Sequence, residues 1–430
     1  MKKIFFFLWM ILSIKGFSQQ QNKRLDIFYN DGFFIKGAGI DNNGPQYFKA
    51  FADAGGNAFR TWRSSNANSE FDSARKYQLK VALGIEVGQE LHGFDYNDTK
   101  AVKQQFNLIK AKIDKYKDEP QLLCWVVGNE LNLLFDENGG LGNVNPKVYD
   151  ALEEIVRYIH QVDSIHPVTT TFAGIIPTHV KVVSERCPSL DFYSFQIYGG
   201  LQTLPQDIEK LSLNKPYIIS EYGPLGHWER PSTSWNREIE ETSKEKSEGL
   251  TQRIQSGFIE NTNPLFLGGF AFLWGQKQER TPTWYGMFLP TGECDARVDV
   301  LTEYWSGKVP NNYAPLVSTI TLNDKSATDN IIIKEAETCT ANIDVTDPDN
   351  DPLLYKWELL GEVKEKSEGG AYEAKPKVYP LEILADNGSS ITFKLPDNNG
   401  EYRLFAYVFD GNGKVGTANI PFMVDLSKIK

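Results

Sequence analysis

Between residues 30 and 306 the chain repeats one pattern, a short apolar run followed by a longer amphipathic stretch. The apolar runs fall at 33–39, 57–62, 79–86, 122–127, 168–173, 192–197, 217–220 and 269–274. They lack strict alternation, which predicts parallel strands buried on both faces. Between them the period changes. Val102, Phe106, Ile109, Ile113 and Tyr116 recur at intervals of four and three, the stripe of an amphipathic helix. Asn145 followed by Pro146 predicts a helix start ahead of Tyr149, Leu152, Ile155, Val156 and Ile159. Eight strand–helix units in roughly 280 residues predict a (β/α)8 TIM barrel over 24–308. An open doubly wound sheet is the alternative, but no glycine-rich phosphate loop follows the first strand to support it.

The pattern changes at Gly307. Residues 309–315, Val-Pro-Asn-Asn-Tyr-Ala-Pro, predict a linker. Beyond it, β-rich patches at 331–333, 341–345, 354–359, 390–394, 402–409 and 417–424 are separated by turn residues. They predict a small all-β sandwich over 316–430. At the other end, Lys2 and Lys3 precede an apolar run from residue 4 to 14, then Gly16-Phe17-Ser18. The run is short for crossing about 30 Å of hydrocarbon, so residues 1–18 are expected to be a signal peptide. The mature protein is therefore expected to be secreted or periplasmic, soluble and monomeric.

Charge and composition narrow the chemistry. Lys plus Arg total 45 against 56 Asp plus Glu, a net −11 that becomes −14 if residues 1–18 are removed. Nucleic acid and anionic membrane surfaces are poor partners for such a field, and a neutral substrate fits it. Four scattered cysteines (Cys124, Cys187, Cys294, Cys339) form no disulfide framework and no paired zinc motif. Five histidines lack metal-ligand spacing, so neither a catalytic metal nor another cofactor is expected. Ser220 lacks the nucleophile elbow of a serine hydrolase. Asp347, Asp349 and Asp351 are compatible with Ca²⁺ or simply with turns.

Barrel chemistry sits at the C-terminal ends of the strands. The fourth strand delivers Asn129-Glu130 and the seventh delivers Glu221. A glutamate directly after an apolar strand is costly unless it faces a polar cavity. Two of them across a barrel mouth form the pair that glycosidic cleavage needs, one protonating the leaving oxygen and one attacking or activating water.

With these residues the chain resembles the clan A superfamily of retaining glycoside hydrolases. The resemblance spans about residues 30 to 306. It implies Glu130 as acid/base after Asn129, and Glu221 as nucleophile. It further implies Arg60 and Tyr198 as partners of the nucleophile and Trp274 as the floor of the sugar site. Gln196 departs from it, since many relatives carry Asn or His there. The implied reaction is double displacement with carboxyl groups ~5–5.5 Å apart. The Arg60 guanidinium and Tyr198 hydroxyl would keep Glu221 ionised, and the Glu221 charge would keep Glu130 protonated. Asn129 is suited to the sugar 2-hydroxyl. His227, Trp228 and Trp235, then Trp284 and Tyr285, are candidates either for sugar stacking or for packing at the rim. Trp62 is compatible with a core position, and Glu86 with a sugar contact or a loop bond.

More narrowly, the chain is similar to bacterial endo-β-1,3-glucanases, and the tail to immunoglobulin-like, PKD-like modules. The expected substrate is a neutral β-linked polysaccharide or oligosaccharide. A transglycosylase using the same carboxylates and a non-catalytic carbohydrate-binding protein are the alternatives.

Overall fold

A computed structural model describes residues 23–40, 45–135, 142–334, 337–367 and 370–426. The segment expected as a signal peptide lies outside these residues. Among the described residues no helix is long and apolar enough to cross a membrane.

Nine strands form one parallel sheet: β1 (Ile35–Gly39), β2 (Ala58–Arg60), β3 (Lys80–Ile85), β4 (Leu122–Val127), β5 (Val168–Thr169), β6 (Thr171–Ala173), β7 (Tyr193–Gln196), β8 (Tyr217–Tyr222) and β9 (Phe266–Ala271). Their order is β5-β4-β3-β2-β1-β9-β8-β7-β6. The two outermost strands, β5 and β6, are halves of one chain pass separated only by Thr170. The ring therefore closes through that pass, and eight passes make the barrel. Helices connect them: α1 (Asp26–Tyr29), α2 (Pro45–Asp53), α3 (Ala67–Tyr77), α4 (Thr99–Tyr116), α5 (Lys147–Val162), α6 (Pro177–Arg186), α7 (Leu204–Leu211), α8 (Ser243–Ile254) and α9 (Ala296–Ser306).

Small and branched residues that point inward fill the barrel, as its tight circumference requires. Ile35, Ala58, Ala82, Cys124, Val126 and Ile218 form that inner cluster, and Leu25 and Phe28 from the N-terminal segment join it. Phe28 meets Phe192 edge-on at 6.1 Å. The outer core joins the opposite strand faces to the helices, for example Trp125 and Val127 with Leu152, Ile155 and Ile159 of α5. Asn145 accepts from the Lys147 amide at the start of α5, 3.1 Å away, as its position before Pro146 predicts. One strand departs from expectation. The eighth pass is Phe266–Ala271, three residues earlier than the predicted 269–274. Residues 265–274 are all apolar or glycine, so the pattern carries no marker of where the strand stops.

The C-terminal residues form two further sheets. β10 (Leu316–Leu322), β12 (Thr338–Thr346), β15 (Ile383–Asp386) and β16 (Ser390–Lys394) make one, in the order β10-β12-β16-β15. β11 (Ile332–Ile333), β13 (Leu354–Gly361), β14 (Val378–Tyr379), β17 (Gly400–Phe409) and β18 (Val415–Val424) make the other, in the order β11-β18-β17-β13-β14. Val317, Ile343, Ile391 and Phe393 of the first share a core with Leu404, Val408, Ile420 and Phe422 of the second. The patches predicted from sequence correspond to six of these strands; β10, β14 and β15 carry weaker patterns, with β15 exposed throughout.

The module is clamped to the barrel near the loops that follow β8 and β9. Ser243 at the start of α8 accepts from the Val317 amide at 3.4 Å and the Thr417 amide at 3.0 Å. Arg237 donates to Glu401 at 2.5 Å, and Arg403 donates to the Glu238 carbonyl at 2.9 Å. The connecting segment is tied as well, with the Ala314 amide on Asp299 and Asn312 on Asp410. Asp347, Asp349 and Asp351 are a group close enough to share an ion. Their carboxylates already serve a turn: Asp347 accepts from the amides of Asp349 and Asp351, Asp349 from the Tyr313 amide, and Asp351 from Asn412.

A buried arginine braces the last barrel loop. Arg297 is fully buried, bonds Asp295, and donates to the carbonyls of Trp284, Tyr285 and Gly286 at 3.2, 3.0 and 2.6 Å. Arg297→Ala would strand Asp295 and three carbonyls away from water. We expect it to lower the unfolding free energy by about 3–5 kcal/mol, measured as a shift in the urea midpoint against the native chain.

Candidate active site

Glu221 is the fifth residue of β8 and is 7% exposed. Three donors converge on its carboxylate. Arg60, ending β2, donates to Oε1 at 3.0 Å. The Trp62 indole donates to the same oxygen at 2.8 Å. The Tyr198 hydroxyl donates to Oε2 at 2.9 Å. Burial first, then the Glu221 charge, pushes the Tyr198 hydroxyl well above its usual value, so it remains a donor.

Asn129 and Glu130 follow β4 through a sharp backbone turn. Gly128 has φ 78° and Glu130 φ 48°, both in the left-handed region. For a glutamate that conformation is disfavoured, and such strain concentrates at functional sites. The Glu130 amide is held by the Thr171 hydroxyl at 2.9 Å. Asn129 Oδ1 accepts from Arg60 at 3.0 Å, Gln196 at 2.7 Å and Thr171 at 3.2 Å. With that oxygen saturated, the orientation of the amide is set and its NH2 is left for the cleft. Gln196, the departure from the resembled family, thus orients Asn129, while its own Oε1 is buried without a protein partner.

Glu130 is half-buried and lines the cleft. Burial, reinforced by the nearby Glu221 charge and opposed by Arg60, raises its carboxyl from an ordinary 4.5 to about 8. The two carboxyl groups thus differ in surroundings. One is braced by a guanidinium and two further donors. The other is desolvated and holds its proton, the division of labour that acid–nucleophile pairs need.

Both carboxyls line a cleft of about 1840 Å³ at the C-terminal mouth of the barrel. Trp62, Tyr198, Trp228 and Tyr285 share its walls. A third carboxylate, Glu279, is buried there beside Lys277 at 2.7 Å, and burial raises it against that lysine. His227 is pushed down to about 3, mainly by burial and then by Arg280, so it is neutral across the working range.

The structure brings together Arg60, Asn129, Glu130, Tyr198, Glu221 and Trp228. Trp274 and Trp284 fall elsewhere. Trp274 is fully buried, donates to the Tyr47 carbonyl at 3.0 Å, and packs against Phe51 and Trp305. It lies three residues past the true end of β9, so it turns into the helical layer rather than the mouth. Trp284 is 1% exposed and donates to the Leu225 carbonyl at 2.9 Å, so it braces the rim from within. Trp235 is not among the cleft-lining residues. Glu86 lines the cleft but is bonded by Ser64 and Lys112 at 3.1 and 2.7 Å.

The residue missed from sequence is Trp62. Its position two after Arg60 was a usable signal, because alternate residues of an extended chain share a face. In the structure the ring packs over Gly39, where a Cβ would come within 2.4 Å of it.

No family model matches the chain, and no curated protein matches it. Its fold is similar to solved structures at low identity. A calcium-binding mutant of Bacteroides uniformis beta-glucuronidase 2 is 14% identical, with a TM-score of 0.50, over 92% of this chain and 46% of that one. An uncultured Clostridium sp. beta-glucuronidase is 16% identical, with a TM-score of 0.50, over 64% of this chain and 51% of that one. Ruminococcus gnavus beta-glucuronidase is 17% identical over 64% of this chain and 50% of that one, with a TM-score of 0.48. The chain therefore spans about half the length of these proteins. At such identities the likeness is one of fold, and it lends nothing to the narrower resemblance with endo-β-1,3-glucanases.

The raised carboxyl of Glu130 makes stability depend on pH. Folded, the group keeps its proton to about pH 8, whereas in the unfolded chain it ionises near 4.5. Between those values the folded state binds more protons, so this group's contribution to stability falls as pH rises. Glu130→Gln removes that loss. Its Tm should match the native value near pH 4 and exceed it by a few degrees at pH 8, read by calorimetry across the range.

Proposed function

We propose that this chain is a retaining β-glycoside hydrolase, with Glu221 as nucleophile and Glu130 as general acid/base. The observation that carries the reading is the environment of Glu221. Its carboxylate is held by Arg60, Trp62 and Tyr198 at 2.8–3.0 Å in the same cleft as Glu130, whose carboxyl is raised by burial and by the Glu221 charge.

In the first step Glu221 attacks the anomeric carbon while Glu130 passes its proton to the glycosidic oxygen. The leaving sugar departs as an alcohol and a glycosyl ester remains on Glu221. In the second step the Glu130 carboxylate takes a proton from water, whose oxygen attacks the anomeric carbon and frees Glu221. Two inversions retain configuration. The Asn129 amide is placed to donate to the 2-hydroxyl, an interaction that strengthens as positive charge develops on the ring.

The substrate we propose is a neutral β-linked oligosaccharide or polysaccharide, on the strength of the chain's acidic balance and a cleft too large for one ring. A β-1,3-glucan is one member of that class. The β-glucuronidase neighbours bring a β-glucuronide into the same test panel. By the same proposal, the segment 1–18 exports the enzyme and the C-terminal domain is an immunoglobulin-like module.

Proton NMR of early product should show the β-anomer; an α-anomer as first product would refute the double displacement. Glu221→Gln should abolish turnover. Glu130→Gln should lower kcat/KM by about 10²–10⁴ on natural glycosides and much less on a substrate with a nitrophenolate leaving group, whose departure needs no proton. In the native enzyme kcat/KM should fall above about pH 8 as Glu130 loses its proton.

A further inference from the structure

The cleft is built by two domains. Lys366, Tyr372, Glu373 and Lys375 of the C-terminal module line it together with Glu130 and Glu221. Tyr372 is 88% exposed, the highest value among the described large hydrophobic side chains. Large aromatic rings usually bury most of their surface, so a ring presented this fully into a cleft is informative.

The ring is exposed although its backbone is pinned. The adjacent Glu373 is 3% exposed and accepts from Gln278 at 3.1 Å, Arg280 at 3.3 Å and the Ser367 amide at 3.1 Å. Arg280 also donates to the Ser367 carbonyl at 2.7 Å and to Glu238 at 3.3 Å. Lys366 bonds Glu238 at 2.7 Å and the Asn236 carbonyl at 2.9 Å. These bonds tie the segment around Tyr372 to the barrel loops that follow β8 and β9. On the barrel side, Trp228 is 61% exposed and meets the Tyr198 ring edge-on at 5.4 Å. Tyr198 in turn bonds the nucleophile. One exposed aromatic ring therefore stands beside the reaction centre and a second on the wall supplied by the module.

Pockets for single small ligands enclose roughly 300–1,000 Å³, well below the 1840 Å³ here. The extra space suits a chain of rings. Pyranoses offer apolar CH faces that pack on an aromatic ring, while Lys375, exposed beside Tyr372, has ammonium donors for their hydroxyls.

We propose that Tyr372 forms a distal sugar-binding subsite, so that the C-terminal module holds one pyranose of an oligosaccharide whose scissile bond lies at Glu130 and Glu221. The claim about the scissile bond rests on the glycosidase reading; the claim about binding is separable from it.

The test uses the full chain and tetrasaccharides of β-linked glucose (1,3 and 1,4), xylose and mannose, each beside the p-nitrophenyl glycoside of its single sugar. For whichever sugar is cleaved, Tyr372→Ala should raise KM for the tetrasaccharide about five- to tenfold with kcat unchanged, the signature of lost uniform binding. Hydrolysis of the nitrophenyl glycoside should stay within twofold. Tyr372→Phe, which keeps the ring, should behave as native. Equal effects on long and short substrates, or no effect on either, would overturn the subsite. If neither these glycosides nor a nitrophenyl β-glucuronide is cleaved, the glycosidase reading fails, and calorimetric binding of the same tetrasaccharides decides the subsite. Binding that Tyr372→Ala weakens at least several-fold supports it. Equal binding by native and variant, or none by the native chain, overturns it.

Discussion

A guanidinium buried beneath the barrel mouth organises the rest of the site. Arg60 is 1% exposed, and removing such a charge from water is costly unless partners compensate. They are the Glu221 carboxylate, the Ser220 carbonyl and the Asn129 side-chain oxygen, each within 3.0 Å. Burial works against the charge of Arg60, and the Glu221 carboxylate favours it. Pairing the two terminal nitrogens of this cation therefore aligns the end of β8 with the turn after β4. Gln196 and Thr171 complete the arrangement by bonding the same Asn129 oxygen. The left-handed turn at Glu130 is held by those neighbours, so its strain is carried by the network around it.

A second polar network joins the barrel to the module. Glu238, Glu240, Arg280 and Arg403 are buried or nearly so, and each reaches across the domain boundary. Asn419 donates to Glu240, which is also paired with Lys246 in a fully buried contact. A surface held by buried charges and hydrogen bonds has a specified register, because each unmatched group would be left unpaired away from water. The module is thus oriented so that residues 366 and 370–375 edge the cleft. Sequence alone suggests a linker at 309–315 and leaves open whether the tail packs against the barrel. The bonds of Asn312, Tyr313 and Ala314 to both domains show that it is tethered.

Much of the barrel was legible because buried parallel strands leave continuous apolar runs, and helices between them leave a stripe of period near 3.6. The placement of Glu130 and Glu221 followed, since a carboxylate that closes such a run needs a polar cavity. Residues 265–274 were harder. They are entirely apolar or glycine, so the strand end could slide by three residues without offending the pattern, and Trp274 slid with it. Trp228 and Trp284, rim aromatics alike in type, went to opposite fates. One is open to the cleft, and the other is buried with its N–H on a carbonyl.

The chain by itself determined the barrel, the all-β tail and the two strand-end glutamates, because each follows from local periodicity and the cost of burying charge. Tertiary structure alone decided that Trp62 and not Trp274 reaches the site, that Gln196 sets the orientation of Asn129, and that a tyrosine from the far domain faces the cleft. Those outcomes depend on contacts between residues as far apart as 62 and 221, or 280 and 373. No local pattern records such pairs, since they are selected only when the whole chain has packed.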